Sequence, residues 1–229
     1  MHRGSGSGAG SVLRTINECF LYTFIDDAYL HGREVDEIAA ALCEGGSDII
    51  QFRSKGRPTD EVCDLVERIQ RVTDGFGVPL VVNDYAEVAR GLGAAYCHLG
   101  QEDFFEAGYR SVSELFPGSA VGPKVGLSSH SPQQAQRAVL AGASYLGVGP
   151  VFATGTKPTA KPVTVEYVRW ASEHLTIPWF AIGGVNLDTL DEVLAAGAKR
   201  VCVVSAILNS KDLVGTCKRF KQRIMSGKK

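Results

Sequence analysis

The chain alternates two kinds of apolar pattern from Phe20 almost to its last residue. Short runs rich in β-branched residues are followed by longer stretches whose apolar residues recur at helical spacing. The short runs are nearly continuous in apolar character, as at 201–204, which is typical of parallel strands covered on both faces. In the first long stretch, Val35, Ile38 and Leu42 share one stripe of a helix. Strands are predicted at 20–26, 48–54, 79–84, 95–100, 124–129, 145–152, 178–185 and 200–207.

Eight such units in series predict an α/β fold of the (β/α)8 TIM barrel type, in a single domain. A doubly wound α/β sheet uses the same alternation, but its Gly-x-Gly-x-x-Gly signature follows none of the predicted strands. Barely ten residues separate the third and fourth strands, so a truncated helix is expected there. We assign residues 1–14 to a flexible Gly/Ser-rich tail and residues 15–229 to the catalytic barrel.

Two of the predicted helices have clear local boundary signals. Ser131 and Pro132, with Gln134 after them, supply an N-cap, a proline in the first turn and a capping-box partner. Asn186 is a candidate cap for the seventh helix, and Gly197 is a candidate exit. These signals support the helix positions that the apolar stripes predict.

Charge and composition narrow the class of protein. Lys and Arg (24) nearly balance Asp and Glu (25), so no global field would attract nucleic acid or an anionic membrane. No run approaches the ~18 apolar residues of a transmembrane helix. The six cysteines contain no Cys-x-x-Cys pair, which favours reduced thiols in a cytoplasmic protein over a disulfide framework. Because the overall charge is balanced, any site for anions must be local, and we expect such sites to bind small molecules.

Polar side chains and glycines gather where each predicted strand ends, which is the catalytic face of a barrel. On the second strand, Gln51, Arg53 and Lys55 project from one side because strand side chains alternate with a period of two. Two cations and an amide would bind an anion there. A solvated, charged loop accounts for this segment equally well when the segment is considered alone.

Two aspartates follow neighbouring strands: Asp84 ends the third, and Asp103 comes just after the fourth. Two carboxylates 4 Å apart would repel each other by roughly 4 kcal/mol at an effective dielectric constant of 20. Such repulsion calls for a bound cation, and carboxylate oxygens completed by water suit Mg²⁺. For Asp84 alone, helix N-capping is the alternative.

The later strands predict a second anion site, this one without a metal. The loop at 149–157 offers backbone donors, two hydroxyls and a lysine, and Gly183 and Gly184 end the next strand. Barrels commonly bind phosphate here, and glycine lets backbone N–H groups approach the oxygens. A tight structural turn is the alternative for the two glycines. A diphosphate with Mg²⁺ on one side and a monophosphate on the other suit a transferase better than a hydrolase.

The histidines near these loops carry weaker signals. His98 lies between Cys97 and Leu99 and is predicted to be structural, whereas His130 is predicted to be a loop hydrogen-bonder. The sequence contains no Gly-x-Ser-x-Gly nucleophile elbow and no His-Glu-x-x-His zinc motif.

In combination, these motifs resemble those of the thiamine phosphate synthase family, whose close relatives include the thiazole tautomerases. The resemblance implies an Mg²⁺-dependent transferase. It would join 4-amino-2-methyl-5-pyrimidinylmethyl diphosphate to hydroxyethylthiazole phosphate, giving thiamine phosphate and diphosphate. The matching segments are Gln-Phe-Arg-Ser-Lys (51–55), Val-Asn-Asp (82–84), His-Leu-Gly-Gln-Glu-Asp (98–103), Gly-Leu-Ser-Ser-His-Ser (126–131), Gly-Pro-Val-Phe (149–152) with Thr-Gly-Thr-Lys (154–157), Ile-Gly-Gly-Val (182–185) and Val-Ser-Ala-Ile (204–207).

The resemblance also implies a role for each matching residue. Diphosphate leaves first in this family, and the thiazole nitrogen then captures the pyrimidine methylene cation. Asp84 and Asp103 would bind Mg²⁺. The groups that meet the leaving diphosphate would be Arg53, Lys55, Ser128 and Lys157. The pyrimidine diphosphate would be held by Gln51, Arg53, Lys55, Asn83, Ser128 and Lys157, and the thiazole phosphate by Thr154, Thr156, Gly184, Val204 and Ser205.

Two positions and one segment depart from the family pattern. Tyr85 stands where Arg is usual, Ile25 stands where Thr is usual, and residues 158–162 replace an acidic residue and a glycine. Two other functions remain open. A thiazole tautomerase-like isomerase would use a histidine such as His130 and would need no carboxylate pair, and a non-catalytic barrel would only bind phosphorylated ligands. The sequence leaves open whether the chain forms a homo-oligomer.

Overall fold

The computed structural model describes residues 12–118, 122–154 and 162–227. Its strands pair in chain order, all of them parallel, and β8 closes onto β1, which confirms the predicted barrel. Residues 1–11 of the predicted tail lie outside the described residues. The strands are β1 Leu21–Asp26, β2 Ile49–Arg53, β3 Leu80–Asn83, β4 Tyr96–Leu99, β5 Lys124–Ser129, β6 Tyr145–Val148, β7 Trp179–Ile182 and β8 Val201–Val203.

The helices cover the outside of the barrel and bury one face each. Ile38 and Leu42 of the first helix are buried, as are Val62 and Val66 of the second. The third helix has six residues and is the truncated element predicted between β3 and β4. In the described ranges, no helix combines the length and the apolar character that crossing a membrane requires. The helices are α1 Val35–Glu44, α2 Thr59–Gly75, α3 Ala86–Gly91, α4 Gln101–Glu106, α5 Pro132–Leu140, α6 Thr164–His174, α7 Leu190–Ala195, α8 Ser205–Leu208 and α9 Leu213–Ser226.

The last three strands end earlier than predicted. After Val148 the chain leaves the sheet, and the Val151 N–H donates to the Ile182 carbonyl at 2.8 Å across the top of β7. The backbone at Val203 likewise gives way to α8, which begins at Ser205. Apolar residues beyond these strands are buried by loops and helices, so the apolar run alone overstates the strand length.

Helix boundaries follow the sequence signals at α5 and differ at α7. Ser131 Oγ accepts from the Gln134 N–H at 3.3 Å, as the cap signal predicts. The seventh helix begins only at Leu190. Asn186 Oδ1 instead accepts from the Thr189 N–H at 3.1 Å, in the turn before that helix.

The cysteines are all unpaired thiols, and five of the six are buried. Burial raises the pKa of Cys19, Cys43, Cys97 and Cys217 to about 12. These side chains therefore remain protonated at neutral pH and behave as small apolar groups in the core.

Aromatic rings fill the barrel interior beneath the carboxyl ends of the strands. The rings of Tyr22, Tyr145 and Phe180 contact each other edge to face, with centroids between 5.1 and 6.1 Å apart. Gly126 pairs with Tyr145 across β5 and β6, and a Cβ at Gly126 would lie 2.1 Å from Tyr145 Cζ. A large residue on β6 thus requires glycine at the paired position of β5.

Candidate active site

A cavity opens at the carboxyl ends of the strands. Residues at the ends of β2, β3 and β5 form one side of it, and the segments after β6, β7 and β8 form the other. The polar strand ends therefore converge on one site, as expected for a barrel. The predicted substrate-binding residues that line this cavity are Gln51, Arg53, Asn83, Ser128, Thr154, Gly184, Val204 and Ser205.

Arg53 is held by a carboxylate that is not among the predicted site residues. Its Nη1 donates to Asp26 Oδ2 at 2.6 Å, and the two residues occupy paired positions of β1 and β2. Asp26 Oδ1 also accepts from the Ala28 N–H at 3.0 Å, which fixes the carboxylate. Both side chains are buried, so the ion pair fixes the guanidinium at the cavity wall and brings no net charge to it.

The loop after β2 is organised around Asp27 at the cavity rim. Asp27 Oδ2 accepts from Ser54 Oγ at 2.5 Å and from Arg57 Nε at 2.7 Å. Tyr85, the residue that stands where the family pattern has Arg, donates from its hydroxyl to the Arg57 carbonyl at 3.0 Å. Lys55 is exposed in this loop and is not among the residues that line the cavity.

The two predicted metal ligands come just after neighbouring strands, β3 and β4, and neither is among the residues that line the cavity. Asp84 adopts a left-handed backbone conformation with φ of 65°, and Asn83 Nδ2 donates to its Oδ2 at 2.6 Å. Asp103 lies in the first turn of α4 and leans toward Gly100, where a Cβ would come within 2.4 Å of Asp103 Oδ2. Left-handed backbone costs a non-glycine residue roughly 1–2 kcal/mol, and such outliers cluster at functional sites.

Carboxylate oxygens such as those of Asp84 and Asp103 are of the kind that Mg²⁺ prefers as ligands. Within the described residues, no group of three or more His, Cys, Asp or Glu could hold a metal ion. A cation between Asp84 and Asp103 would therefore take its other ligands from water and from phosphate oxygens. Mg²⁺ sites of phosphate-processing enzymes commonly combine one or two carboxylates with those ligands.

The opposite side of the cavity depends on the glycines after β7. Gly183 and Gly184 have φ values of 96° and 67°. A Cβ at Gly183 would lie 2.3 Å from Pro150 Cβ, and one at Gly184 would lie 2.6 Å from Phe152 Cβ. The tight turn and the close approach of the β6 loop therefore both require glycine. Ser205, at the start of α8, completes this side.

His130 lines the cavity and is held through its ring Nδ1 and its backbone N–H. Its Nδ1 lies within hydrogen-bonding distance of the Gly149 carbonyl, and because a carbonyl only accepts, Nδ1 must carry the proton. Its Nε2 lies 3.8 Å from the Glu102 carboxylate. The His130 backbone N–H donates to Gln134 Oε1 at 2.6 Å. This arrangement agrees with the predicted loop hydrogen-bonder.

Comparison with known proteins identifies the family. A family model described as thiamine monophosphate synthase matches residues 21–207. The chain belongs to the thiamine monophosphate synthase family. A thiamine-phosphate synthase of Shouchella clausii is 35% identical over 84% of this chain and 90% of that protein. A relative of the same name from Gloeobacter violaceus is 41% identical over 85% of this chain, which spans only 55% of that protein.

A solved structure of the same family supports both the fold and the assignment. The thiamine phosphate pyrophosphorylase of Pyrococcus furiosus superposes with a TM-score of 0.82 at 29% identity, over 93% of this chain and 99% of that one.

In this member of the thiamine monophosphate synthase family, the side chain of one strand residue lies in the cavity, where the sequence did not predict it. His98 was expected to be structural, yet its ring lines the cavity, and its Nε2 lies 3.1 Å from Ser128 Oγ. The register of β4 against β5, which sets His98 opposite Gly126, turns the ring inward. The predicted residues Thr156 and Lys157 lie outside the described residues.

A nucleophile is not apparent among the described residues that line the cavity. Cys202 is at its floor, but burial raises the pKa of this thiol well above its usual range. The neutral thiol is a poor nucleophile.

Proposed function

We propose that this chain is a thiamine-phosphate synthase. It joins 4-amino-2-methyl-5-pyrimidinylmethyl diphosphate to hydroxyethylthiazole phosphate and releases diphosphate. One observation carries the proposal: a single cavity has Arg53, Asn83 and Ser128 on one side and the glycine turn with Ser205 on the other. Two anionic substrates can therefore meet in one space, with their reacting carbon and nitrogen between the two sides.

The chain's own residues hold the leaving group and the pyrimidine. A guanidinium has five N–H donors. In the described part of the chain, one donor of Arg53 is taken by Asp26, and no other side-chain acceptor takes the rest. Those donors can bind diphosphate oxygens as the bond from the pyrimidine methylene carbon to oxygen breaks. The thiazole nitrogen then forms the new bond to that carbon, so no protein base has to remove a proton.

The proposal includes a magnesium ion held by Asp84 and Asp103. When bound, Mg²⁺ offsets the negative charge that builds up on the departing diphosphate. The neutral Asp26–Arg53 pair supports this need, because the buried guanidinium alone does not balance a diphosphate. We assign the remaining positive charge to Lys55 at the rim and to Lys157.

We also propose that the protein is cytoplasmic. The six unpaired thiols support it, since disulfides form and persist in oxidising compartments.

A coupling assay with both substrates tests the function. We expect thiamine phosphate and diphosphate to form in equal amounts, only when both substrates and Mg²⁺ are present. Proton exchange on the thiazole without coupling would instead support a tautomerase. Binding of either phosphate compound without turnover would support a non-catalytic barrel.

A further inference from the structure

A chain of hydrogen bonds crosses the barrel interior beneath the cavity, from Gln51 to Ser128. Gln51 Nε2 donates to the Tyr22 hydroxyl at 2.6 Å, and the Tyr22 and Tyr145 hydroxyl oxygens lie 3.1 Å apart. The Tyr145 hydroxyl lies 3.1 Å from His98 Nδ1, and His98 Nε2 lies 3.1 Å from Ser128 Oγ. Four strands, β1, β2, β4 and β6, thus feed one polar path that ends at a cavity side chain on β5.

The direction of each bond follows from the amide at one end. An amide nitrogen only donates, so Tyr22 accepts from Gln51 and has its own proton left for another acceptor. Among the described residues, the other partner of the Tyr22 hydroxyl is Tyr145, which therefore receives that proton. Tyr145 then has one proton to give, and its remaining partner is His98 Nδ1.

A ring nitrogen that accepts a hydrogen bond carries no proton itself. In the neutral imidazole the proton is then on Nε2, which faces Ser128 Oγ. Ser128 accepts from His98 and keeps its own hydroxyl proton for a group in the cavity.

We propose that Tyr22 and Tyr145 are positioning residues that hold His98 as the Nε2–H tautomer, so that Ser128 presents a hydrogen-bond donor to the cavity. The benefit of a donating Ser128 hydroxyl for catalysis rests on the proposed function. A leaving diphosphate is an acceptor only, and it is stabilised by a hydroxyl that donates and repelled by one that offers a lone pair. If every bond in the chain were reversed, Ser128 would donate to His98 and turn a lone pair to the substrate.

The surroundings of the two tyrosines keep this path in place. Tyr145 is fully buried and Tyr22 is 3% exposed, so both hydroxyls are shielded from bulk solvent. Burial raises the pKa of both phenols well above the usual range, so both remain proton donors at neutral pH. The ring of Tyr145 also occupies the space that Gly126 leaves open, which fixes its position.

Nitrogen-15 NMR of the ligand-free protein tests the tautomer directly. The protein has five histidines. The pair of ring-nitrogen signals that disappears in His98→Asn belongs to His98. We expect His98 in the wild-type protein to show a protonated Nε2 and an unprotonated Nδ1. A protonated Nδ1 would mean that the hydrogen bonds between Gln51 and Ser128 run in the opposite direction, and this would overturn the proposal.

Removing single hydroxyl groups tests the positioning role. Tyr145→Phe and Tyr22→Phe keep the rings and break the chain at successive links, so the His98 tautomer preference should weaken in both. Tyr96→Phe is the matched control, because the Tyr96 ring packs on Tyr145 but its hydroxyl accepts from the Ile16 N–H, outside the chain. Unchanged His98 signals in both tyrosine variants would show that the tyrosines only fill space.

The kinetic readout is a fall in kcat. We expect Tyr145→Phe to lower kcat by about five- to tenfold, the value of one neutral hydrogen bond, with little change in the KM for the pyrimidine diphosphate. Tyr96→Phe should stay within about twofold. A kcat of Tyr145→Phe equal to that of Tyr96→Phe would contradict the role. If the wild-type protein fails to couple the substrates, the proposed function fails, but the NMR result still decides the tautomer.

Discussion

Asp26 and Arg53 face each other from paired positions of β1 and β2 and form a 2.6 Å ion pair, with 2% and 9% of their surfaces exposed. A buried pair of this kind is weak support for stability, but removal of one partner leaves a costly buried charge. The pair also sets the orientation of the guanidinium that lines the cavity. We therefore expect stability and substrate binding to be linked at this position.

Asp26→Asn should lower both stability and activity. The neutral amide leaves the Arg53 guanidinium without its counter-charge, which costs about 3 kcal/mol of the free energy of unfolding. The guanidinium also loses its fixed direction, so kcat/KM for the pyrimidine diphosphate should fall at least tenfold. Urea denaturation and steady-state kinetics measure the two effects. Glu61→Gln, which removes the partner of Arg57 in an exposed pair, should change stability by less than about 1 kcal/mol. Equal stability of the two variants would contradict this account.

Gly184→Ala should act mainly on the thiazole phosphate side of the site. Alanine there meets a positive φ and two close neighbours, Phe152 Cβ at 2.6 Å and the Ala153 carbonyl oxygen at 2.7 Å. Gly93 has a similar φ of 64° with nothing within 4 Å of an added Cβ. Gly93→Ala should cost about 1 kcal/mol of stability and leave KM unchanged. Gly184→Ala should cost more and raise the thiazole phosphate KM at least tenfold. The same KM in both variants would show that the turn does not shape the pocket.

The barrel could be predicted from the sequence because its strands are buried on both faces. In a chain with repeated helical stripes, continuous apolar runs such as the one containing Val81 and Val82 are typical of parallel strands covered by helices. The carboxyl ends could not be predicted as well. Val151 and Ile207 are as buried as strand residues, yet they lie in a loop and a helix. Burial alone does not distinguish these cases.

The site could be predicted as far as it consists of polar residues on apolar strands. Gln51 and Arg53 stand out in this way. Asp26 does not, because its partner is chosen by the register of β1 against β2, which the sequence does not state. His98 was missed for a related reason. Its neighbours Cys97 and Leu99 suggest a strand interior, and only the closed barrel turns the ring toward Ser128.

His130→Asn should leave coupling within about tenfold of the wild-type rate. The ring is bound to the Gly149 carbonyl, and the proposed reaction does not depend on a general base, which would be worth roughly 10²–10⁴. His174→Asn is a suitable control, since His174 Nδ1 also bonds a carbonyl, that of Trp170 at 2.8 Å, on the surface of α6. Loss of all coupling in a folded His130 variant, with the His174 variant active, would point to proton transfer and to a tautomerase.

Coupling should stop in a chelator and return with added Mg²⁺, and Asp103→Asn should weaken that return. The substitution removes one of the two proposed carboxylate ligands, so the Mg²⁺ concentration for half-maximal activity should rise at least tenfold.

Glu102→Gln is the matched control, because Glu102 is exposed in the same first turn of α4. Both variants lose a similar favourable interaction with the helix N-terminus, about 0.3–1 kcal/mol. Asp103→Asn also relieves repulsion with Asp84 in the metal-free protein, so its melting temperature should equal or exceed that of Glu102→Gln. Full activity in chelator, or unfolding of Asp103→Asn alone, would mean that these aspartates serve the fold and that the diphosphate is held without a metal.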